Sequence, residues 1–218
     1  MLFKQIPIGP MQNFAYIIGD ESSKIGAIVD PGWEIGKLLK IAEENNLKIG
    51  LILLTHTHFD HVTGLAELAK KTNAKIYVHE KEVHELIKLK EQVIQIKDKD
   101  IIKIGKLTVK VIHTPGHTQG SVCFLIDKKI ITGDTIFIEA VGRTDLPGGN
   151  SEQLFESLQK IKKLDDTIEI YPGHDYGSVP FATIKHQKEN NPYLQNGKLF
   201  KQLNNLYNYE PGNEKLPL

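Results

Sequence analysis

The chain has 218 residues, of which 40% are hydrophobic and 25% are charged, a composition typical of a globular protein. This excludes a disordered chain, a collagen and a coiled coil, and the length is sufficient for one sizeable core. Lysine plus arginine balance aspartate plus glutamate at 27 each, without a long basic stripe. We therefore expect a small-molecule partner and no nucleic-acid partner.

The cellular location is indicated by what the sequence lacks. The N-terminal segment has no apolar stretch of the signal-peptide kind, and no run approaches the roughly 18 apolar residues of a membrane span. Cys123 is the single cysteine, so no internal disulfide can form, which is typical of a reducing compartment. It falls within a predicted strand, where we expect an inert core residue. The sequence thus predicts a cytoplasmic protein with no membrane partner.

Apolar patterning predicts the elements in chain order. Strands are expected over residues 14–19, 25–29, 49–54, 75–78, 101–112, 121–126, 129–132 and 167–171, and helices over 36–47, 62–71, 81–93, 152–164 and 180–189. The strand over 49–54 is apolar throughout except for Gly50, which indicates burial on both faces. Strands and helices alternate without a regular βαβ period, which favours an α/β sandwich of two sheets with helices outside. We expect one domain over residues 1–192 and a short tail, 193–218, packed on it.

A run of ligand-type residues, His56, His58, Asp60 and His61, follows directly on the buried strand. Residues two apart on an extended segment point the same way, so His56 and His58 can share one metal as neutral imidazoles. Asp60 and His61 come after the chain begins to turn and would face a neighbouring point. Because these ligand groups exceed what one catalytic metal with an open position needs, the run predicts two adjacent cations.

Three further candidates stand beside glycines just after predicted strands: His117 in a Pro-Gly-His sequence, Asp134 after Gly133, and His174 in a second Pro-Gly-His. Glycine lets the backbone approach a ligand closely. A single histidine or aspartate in a turn is more often structural, but together with the preceding run these three become metal-ligand candidates. The remaining histidines, His79, His84, His113 and His186, are expected to be structural.

The HxHxDH run, a PGH, a GD and a second PGH, in this order, resemble the metallo-β-lactamase superfamily over nearly the whole chain. The resemblance implies a four-layered αβ/βα sandwich of two mixed sheets. It also implies that His56, His58 and His117 hold one metal, that Asp60, His61 and His174 hold the other, and that Asp134 bridges them. Asp30 ends an early strand where the superfamily often has an acid, and two roles stay open for it, orientation of a ligand histidine or a plain Asx turn.

Within the superfamily, residues 141–149 and the GHDYG sequence resemble the glyoxalase II-like thioester hydrolases and the related persulfide dioxygenases. In those enzymes the equivalent segments line a glutathione pocket. The resemblance therefore makes Arg143, the only arginine, a candidate for the substrate carboxylate and Tyr176 a candidate for a hydrogen bond. The alternative is that Arg143 pairs with Asp145. We expect the tail after about Asn191 to be too short for the helical domain of full-length glyoxalase II. Arg143-Thr144-Asp145 replaces its Lys-x-Tyr motif, which leaves glutathione specificity open.

Two mechanisms follow from the resemblance. In the first, two divalent metals generate a bridging hydroxide that attacks a thioester such as a hydroxyacyl-glutathione. The metals would be zinc, with iron or manganese as alternatives, and Asp60 would accept the proton of the nucleophile. In the second, a single Fe(II) is held by His56, His117 and Asp134 in a persulfide dioxygenase. We favour the hydrolase. The sequence names neither the metal, the acyl group nor the thiol carrier, and it leaves open whether the tail forms a homodimer.

Overall fold

The computed structural model describes residues 1–195, so most of the predicted tail over 193–218 lies outside the described residues. The strands are β1 Leu2–Ile8, β2 Asn13–Asp20, β3 Ile25–Val29, β4 Lys48–Leu53, β5 Lys75–His79, β6 Val93–Ile96, β7 Ile101–Ile104, β8 Leu107–His113, β9 Val122–Ile126, β10 Lys129–Gly133, β11 Ile136–Phe137, β12 Ala140–Val141, β13 Glu169–Pro172 and β14 Ala182–Thr183. The helices are α1 Ile35–Glu44, α2 Phe59–Val62, α3 Leu65–Thr72, α4 Ser151–Lys162, α5 Ile184–Asn190 and α6 Pro192–Gln195, with a 3₁₀ segment at Glu80–Gln92.

The strands form two six-stranded sheets, and both are mixed. The first has the order β1-β2-β3-β4-β5-β6, antiparallel from β1 to β3 and parallel from β3 to β6. The second has the order β14-β13-β10-β9-β8-β7, in which β10 and β13 are parallel and the other neighbours are antiparallel. Strands β11 and β12 form a separate two-stranded ribbon.

Strand β4 shows why the sheets stack as they do. Successive side chains of a strand point to opposite faces. Ile52, with Leu54 just after the strand, packs against the apolar sides of α1 and α3, whereas Leu51 and Leu53 pack into the core between the two sheets. Burial on both faces explains the uninterrupted apolar run.

A third apolar cluster completes the layers. Leu154 and Leu158 of α4 pack on Ile130 and Ile170 of the second sheet, on the face away from the first sheet. The order helix, sheet, sheet, helix confirms the expected four-layered αβ/βα sandwich. Within residues 1–195, none of the helices is both long and apolar enough to cross a membrane.

Several observed elements differ in detail from those predicted. Strand β1 was not expected because Lys4, Gln5 and Pro7 interrupt its apolar pattern, but as an edge strand it needs only one buried face. The strand expected over 101–112 is a hairpin, in which Gly105 turns the chain with a φ of 58°. A glycine adopts this left-handed conformation without the cost of a Cβ.

Two of the predicted helices also differ from the observed structure. The helix expected over 81–93 is the 3₁₀ segment, broken at Leu86 (φ −111°, ψ 24°), and its last predicted residue begins β6. The helix expected over 180–189 begins later, at Ile184, because Thr183 caps it: the Thr183 hydroxyl accepts a hydrogen bond from the backbone N–H of His186 at 3.2 Å. Neither change displaces a predicted metal ligand.

Candidate metal centre

The predicted ligands lie together at one edge of the sandwich, where they follow the ends of β4, β8, β10 and β13. We call them the metal-centre cluster: His56, His58, Asp60, His61, His117, Asp134 and His174. Three groups of three have ligand atoms within 4.8 Å of one another: a first triad of His56, His58 and His117, a second triad of Asp60, His61 and His174, and a group of Asp30, His56 and His61 that overlaps both. The first and second triads have the membership that the superfamily resemblance implies for the two metals.

Asp134 lies between the two triads. Its Oδ2 is 3.5 Å from Nε2 of His117, a member of the first triad. Its Oδ1 is 3.4 Å from Nε2 of His61, and its Oδ2 is 3.4 Å from Nε2 of His174, both of the second triad. A single carboxylate thus reaches both groups, which is the position that a bridging ligand requires.

Backbone carbonyls fix the orientation of two cluster histidines. Nδ1 of His117 donates to the carbonyl oxygen of Arg143 at 2.7 Å, and Nδ1 of His174 donates to that of Met11 at 2.9 Å. A ring nitrogen that donates carries the proton, so Nδ1 of each ring is protonated and Nε2 is the nitrogen that faces the cluster. With Nδ1 held in this way, Nε2 is the atom that would bind a metal.

Asp30 fixes two more rings through a short network. Its Oδ1 accepts the backbone N–H of Thr55 at 2.8 Å, and its Oδ2 accepts the Thr55 hydroxyl at 2.6 Å and lies 3.2 Å from Nδ1 of His61. The same hydroxyl is 3.1 Å from Nδ1 of His56. Asp30 therefore makes the contacts that its orienting role needs, and these bonds cross to the next strand rather than form a local Asx turn.

The facing nitrogens of the cluster test whether a cation fits. Nε2 of His117 is 2.8 Å from Nδ1 of His58, and Nε2 of His61 is 3.3 Å from Nε2 of His174. At these distances the two nitrogens of each pair share either one proton or a cation, because two bare lone pairs repel each other.

Two cluster atoms are buried without a hydrogen-bond partner among the described residues, namely Nε2 of His56 and Oδ1 of Asp134. An unsatisfied buried polar atom costs about 1–3 kcal/mol, so it indicates a missing partner. Imidazole nitrogen and carboxylate oxygen are ligands that zinc, iron and manganese accept. The donor set therefore fits a divalent metal centre.

Charge interactions set the protonation states. Burial raises the pKa of Asp134, but the positive charge of His61 and the rings of His174 and His61 beside its oxygens hold it well below its ordinary value. Burial also raises the pKa of Asp60, while a hydrogen bond from His174 and the charge of His61 bring it to about 2. Burial and His61 lower the pKa of His56. Both carboxylates are therefore ionised and His56 is neutral, as metal ligation requires. Burial lowers the pKa of His61 and of His174, but Asp134 and the neighbouring carboxylates raise the first well above its ordinary value and the second to about 9, so a metal would displace a proton from each ring.

Glycine allows the ligand loops to approach one another. A Cβ on Gly173 would lie 2.3 Å from Oδ1 of Asp134, and one on Gly133 would lie 2.3 Å from the Thr55 hydroxyl. Gly133 also has a φ of 48°, which side chains disfavour. The glycines of the PGH and GD sequences thus leave room for the metal-centre cluster.

Sequence reasoning did not single out Glu82, which joins two ligand loops. The Glu82 carboxylate is buried and accepts the backbone N–H groups of Thr57 at 3.1 Å and of Gly120 at 2.9 Å, and also the Thr57 hydroxyl. Thr57 stands between two cluster histidines, and Gly120 follows His117 by three residues. Only the fold distinguishes Glu82 from other acids of its segment, so no sequence signal could have identified it.

Asn13 is a second missed residue. Its side-chain amide donates to Oδ2 of Asp60 at 2.9 Å, and its backbone forms an isolated antiparallel β-bridge with His174. Both of these partners belong to the second triad. Asn13 lies on β2, far from the motifs in sequence, and an asparagine in a strand carries no signal of such a role.

The predicted substrate residues lie at the rim of the site. Arg143 is 60% exposed and forms a two-point ion pair with Asp145, at 2.7 and 2.6 Å, which is the pairing that the scaffold alternative requires. Tyr176 is 51% exposed and stacks on the ring of His174, with centroids 4.6 Å apart. A contact of either residue with substrate stays a prediction.

The other singled-out residues lie outside the metal-centre cluster. Cys123 is buried in β9, and burial raises the pKa of its thiol to about 11, so it is unreactive at neutral pH. His79 and His113 stack on each other, with centroids 4.1 Å apart. His186 lies 3.1 Å from the carboxylate of Glu139 on the surface.

The fold and the metal-centre cluster define a class of protein, the metal-dependent enzymes of the αβ/βα sandwich. Residues 8–174 match the family model described as the metallo-β-lactamase superfamily. The chain belongs to the metallo-β-lactamase superfamily.

The chain is also similar to individual members of this superfamily. It is 36% identical over 184 residues to the probable polyketide biosynthesis zinc-dependent hydrolase PksB of Bacillus subtilis, covering 84% of this chain and 82% of that one. It is also 36% identical over 177 residues to a hydroxyacylglutathione hydrolase of Francisella tularensis subsp. novicida, covering 79% and 67%. The crystal structure of ETHE1 from Myxococcus xanthus superposes with a TM-score of 0.84 at 29% identity, covering 97% and 93%. Family and relatives support a metal-dependent hydrolase.

Proposed function

We propose that this protein hydrolyses thioesters with a pair of divalent metal ions held by the metal-centre cluster. The observation that carries the proposal is the pair of ligand triads with Asp134 between them, because it offers two adjacent metal sites rather than one. The similarity to a hydroxyacylglutathione hydrolase supports a thioester as substrate.

The first triad, the second triad and Asp134 would hold the two metals. When bound, such metals lower the pKa of a coordinated water from 15.7 to about 7 and polarise a carbonyl oxygen. Asp30 keeps the rings of His56 and His61 oriented, and the carbonyl oxygens of Met11 and Arg143 do so for His174 and His117.

Asp60 is the proposed proton acceptor. It is ionised, and Oδ2 is fixed by Asn13 at 2.9 Å, within 3.3 Å of Nε2 of His174. Because its pKa is lowered to about 2, the Asp60 carboxylate is ionised at neutral pH and can accept a proton. A thiol with an ordinary pKa near 8.5 departs as a thiolate without a general acid, so the proposed reaction needs no further acid.

The test combines metal content, thioester cleavage and oxygen uptake on the full-length chain. We expect two metals per chain, cleavage of S-lactoylglutathione or of an acyl thioester between acetyl and decanoyl, and no oxygen consumption. Metal-loaded protein that cleaves none of these thioesters overturns the proposal.

The alternative is a mononuclear iron persulfide dioxygenase of the ETHE1 type. The observation in its favour is the structural match to ETHE1 over nearly the full length of both chains. His56, His117 and Asp134 are all present in the cluster, so the two-histidine, one-carboxylate set is available for iron. One iron per chain, with oxygen uptake on addition of glutathione persulfide, would reverse the ranking.

A further inference from the structure

We propose that a groove beside the metal-centre cluster binds an extended apolar acyl chain, so that the substrates are thioesters of medium- or long-chain acids. This rests on the proposed thioesterase function and narrows its substrate class. We call it the acyl groove. It runs between α2 and α3 on one side and the 3₁₀ segment on the other.

Two adjoining cavities form the acyl groove. The first, of about 570 Å³, is lined by His58 of the metal-centre cluster and extends to Val62 and His84. The second, of about 440 Å³, is lined by the same Val62 and His84 and extends along α3. Each volume is within the roughly 300–1,000 Å³ of ligand pockets. Because the two cavities meet at Val62 and His84, an acyl chain whose carbonyl lies at His58 would extend from the first cavity toward the second.

The walls of the groove are mainly apolar. Val62 and Ala66 line one wall, and Ile87 and Leu89 line the other. Phe59 stands at the entrance near the metals with 65% of its surface exposed, and Ile87 further along is 72% exposed. Exposed large apolar side chains on a shared surface indicate a binding site rather than random scatter.

The charged residues of the groove do not oppose an apolar chain. The carboxylate of Glu82 is buried and engaged with Thr57 and Gly120, so it does not present a charge to the groove. Lys81 and Lys88 have long stems that can cover apolar surface while the ammonium stays in water. Since the groove begins at a metal ligand, an acyl chain attached to the reacting carbonyl fits it better than a separate protein partner does.

The first experiment is a chain-length series of acyl thioesters of N-acetylcysteamine, from acetyl to decanoyl, with the metal-loaded protein. One fully buried CH₂ corresponds to roughly a fourfold change in affinity. In an open groove we expect about a twofold rise in kcat/KM per CH₂, because each group is buried only in part. A flat or falling series overturns the proposal.

The second experiment places a charge in the groove. Ile87→Asp should flatten the chain-length dependence, since a carboxylate replaces an exposed apolar wall residue. Ile101→Asp is the matched control: Ile101 is 52% exposed on β7, an edge strand of the other sheet, and lines neither cavity. The control should keep the wild-type slope. The same rise in kcat/KM per CH₂ in the wild type and both variants would show that the groove does not bind the acyl chain. An equal loss of that rise in Ile87→Asp and Ile101→Asp would show the same.

Binding of non-hydrolysable S-alkyl thioethers of N-acetylcysteamine, measured by calorimetry, separates this proposal from the proposed function. Tighter binding of the S-decyl than of the S-ethyl compound, without cleavage of any thioester, would support the groove and overturn the hydrolase. Cleavage at equal kcat/KM across the series, with equal binding of both thioethers, would keep the hydrolase and overturn the groove.

Discussion

The metal-centre cluster and the rim of the site differ in how firmly the fold holds them. His61 and His117 are buried, and their outer nitrogens are bonded to Asp30 and to a backbone carbonyl. At the rim, Arg143 and Tyr176 are 60% and 51% exposed. The comparison teaches that this fold holds the predicted metal ligands in fixed positions and leaves the predicted substrate residues on the surface, where they can vary at little cost in stability.

The largest expected effect is at the centre of the cluster. Asp134→Ala removes the carboxylate that lies between both triads, so zinc affinity and kcat/KM should each fall more than about 100-fold, because loss of a group that only orients a ligand already costs about 10- to 100-fold. Calorimetric zinc titration and initial rates measure this, and thermal unfolding checks that the fold is kept.

The matched control for this variant is the same change at the rim, Asp145→Ala. Asp145 pairs with Arg143 and belongs to neither triad, so its loss should leave zinc affinity near the wild-type value. Equal loss of zinc in both variants would contradict the contrast between cluster and rim.

Glu82→Gln tests the connection between the two ligand loops. A glutamine amide cannot accept from both Thr57 and Gly120 without turning its NH₂ group toward a donor, so the free energy of unfolding should fall by about 1–3 kcal/mol. Zinc affinity should fall with it, by about tenfold. Glu80→Gln, at an exposed neighbour on the same segment, should change neither quantity in denaturant titration and calorimetry.

The stacked histidines away from the cluster predict a dependence of stability on pH. Burial and the neighbouring His113 lower the pKa of His79 to about 4, with smaller effects of Glu80, Lys81 and Glu82. Since the unfolded pKa is near 6.5, this contribution is complete above about pH 6.5 and is lost as the pH falls toward 4. Between pH 7.5 and 5.5 it should amount to about 1 kcal/mol.

His79→Asn isolates that contribution, because asparagine can still accept the hydrogen bond that the His79 ring takes from the backbone N–H of Lys81 but does not titrate. Denaturant unfolding at the two pH values should show a smaller acid loss in the variant than in the wild type. An identical loss in both proteins would assign the dependence to other groups.

The smallest expected effect is at the rim. Arg143→Lys removes a two-point fork that a lysine cannot reproduce, so KM for a carboxylate-bearing thioester should rise, by up to about fivefold for an exposed charge contact. The change in kcat should be smaller. An unchanged KM would leave Arg143 with the Asp145 pairing alone.

The alternation of elements predicted a sandwich of two sheets, and the local motifs predicted which residues are metal-ligand candidates. The resemblance of those motifs to the metallo-β-lactamase superfamily added the four layers and the grouping of the ligands. The buried strand β4 has a continuous apolar run, and the ligands follow strand ends in short glycine-containing motifs. Strand β1 was missed because an edge strand tolerates Lys4 and Pro7.

The residues that support the cluster could not be predicted in the same way. Asn13 and Glu82 are distant in sequence from Asp60 and Gly120, which they contact, and their residue types are common on surfaces. Their roles come from tertiary packing alone. The acyl groove is likewise formed by elements brought together only by the fold, and one of its walls was expected to be an α-helix.

The number of metal ions that the chain binds tests the central claim most directly. Zinc titrated calorimetrically into full-length protein that has been treated with a chelator should saturate at two ions per chain. Saturation at one ion, or the absence of specific binding, would contradict the two-metal centre.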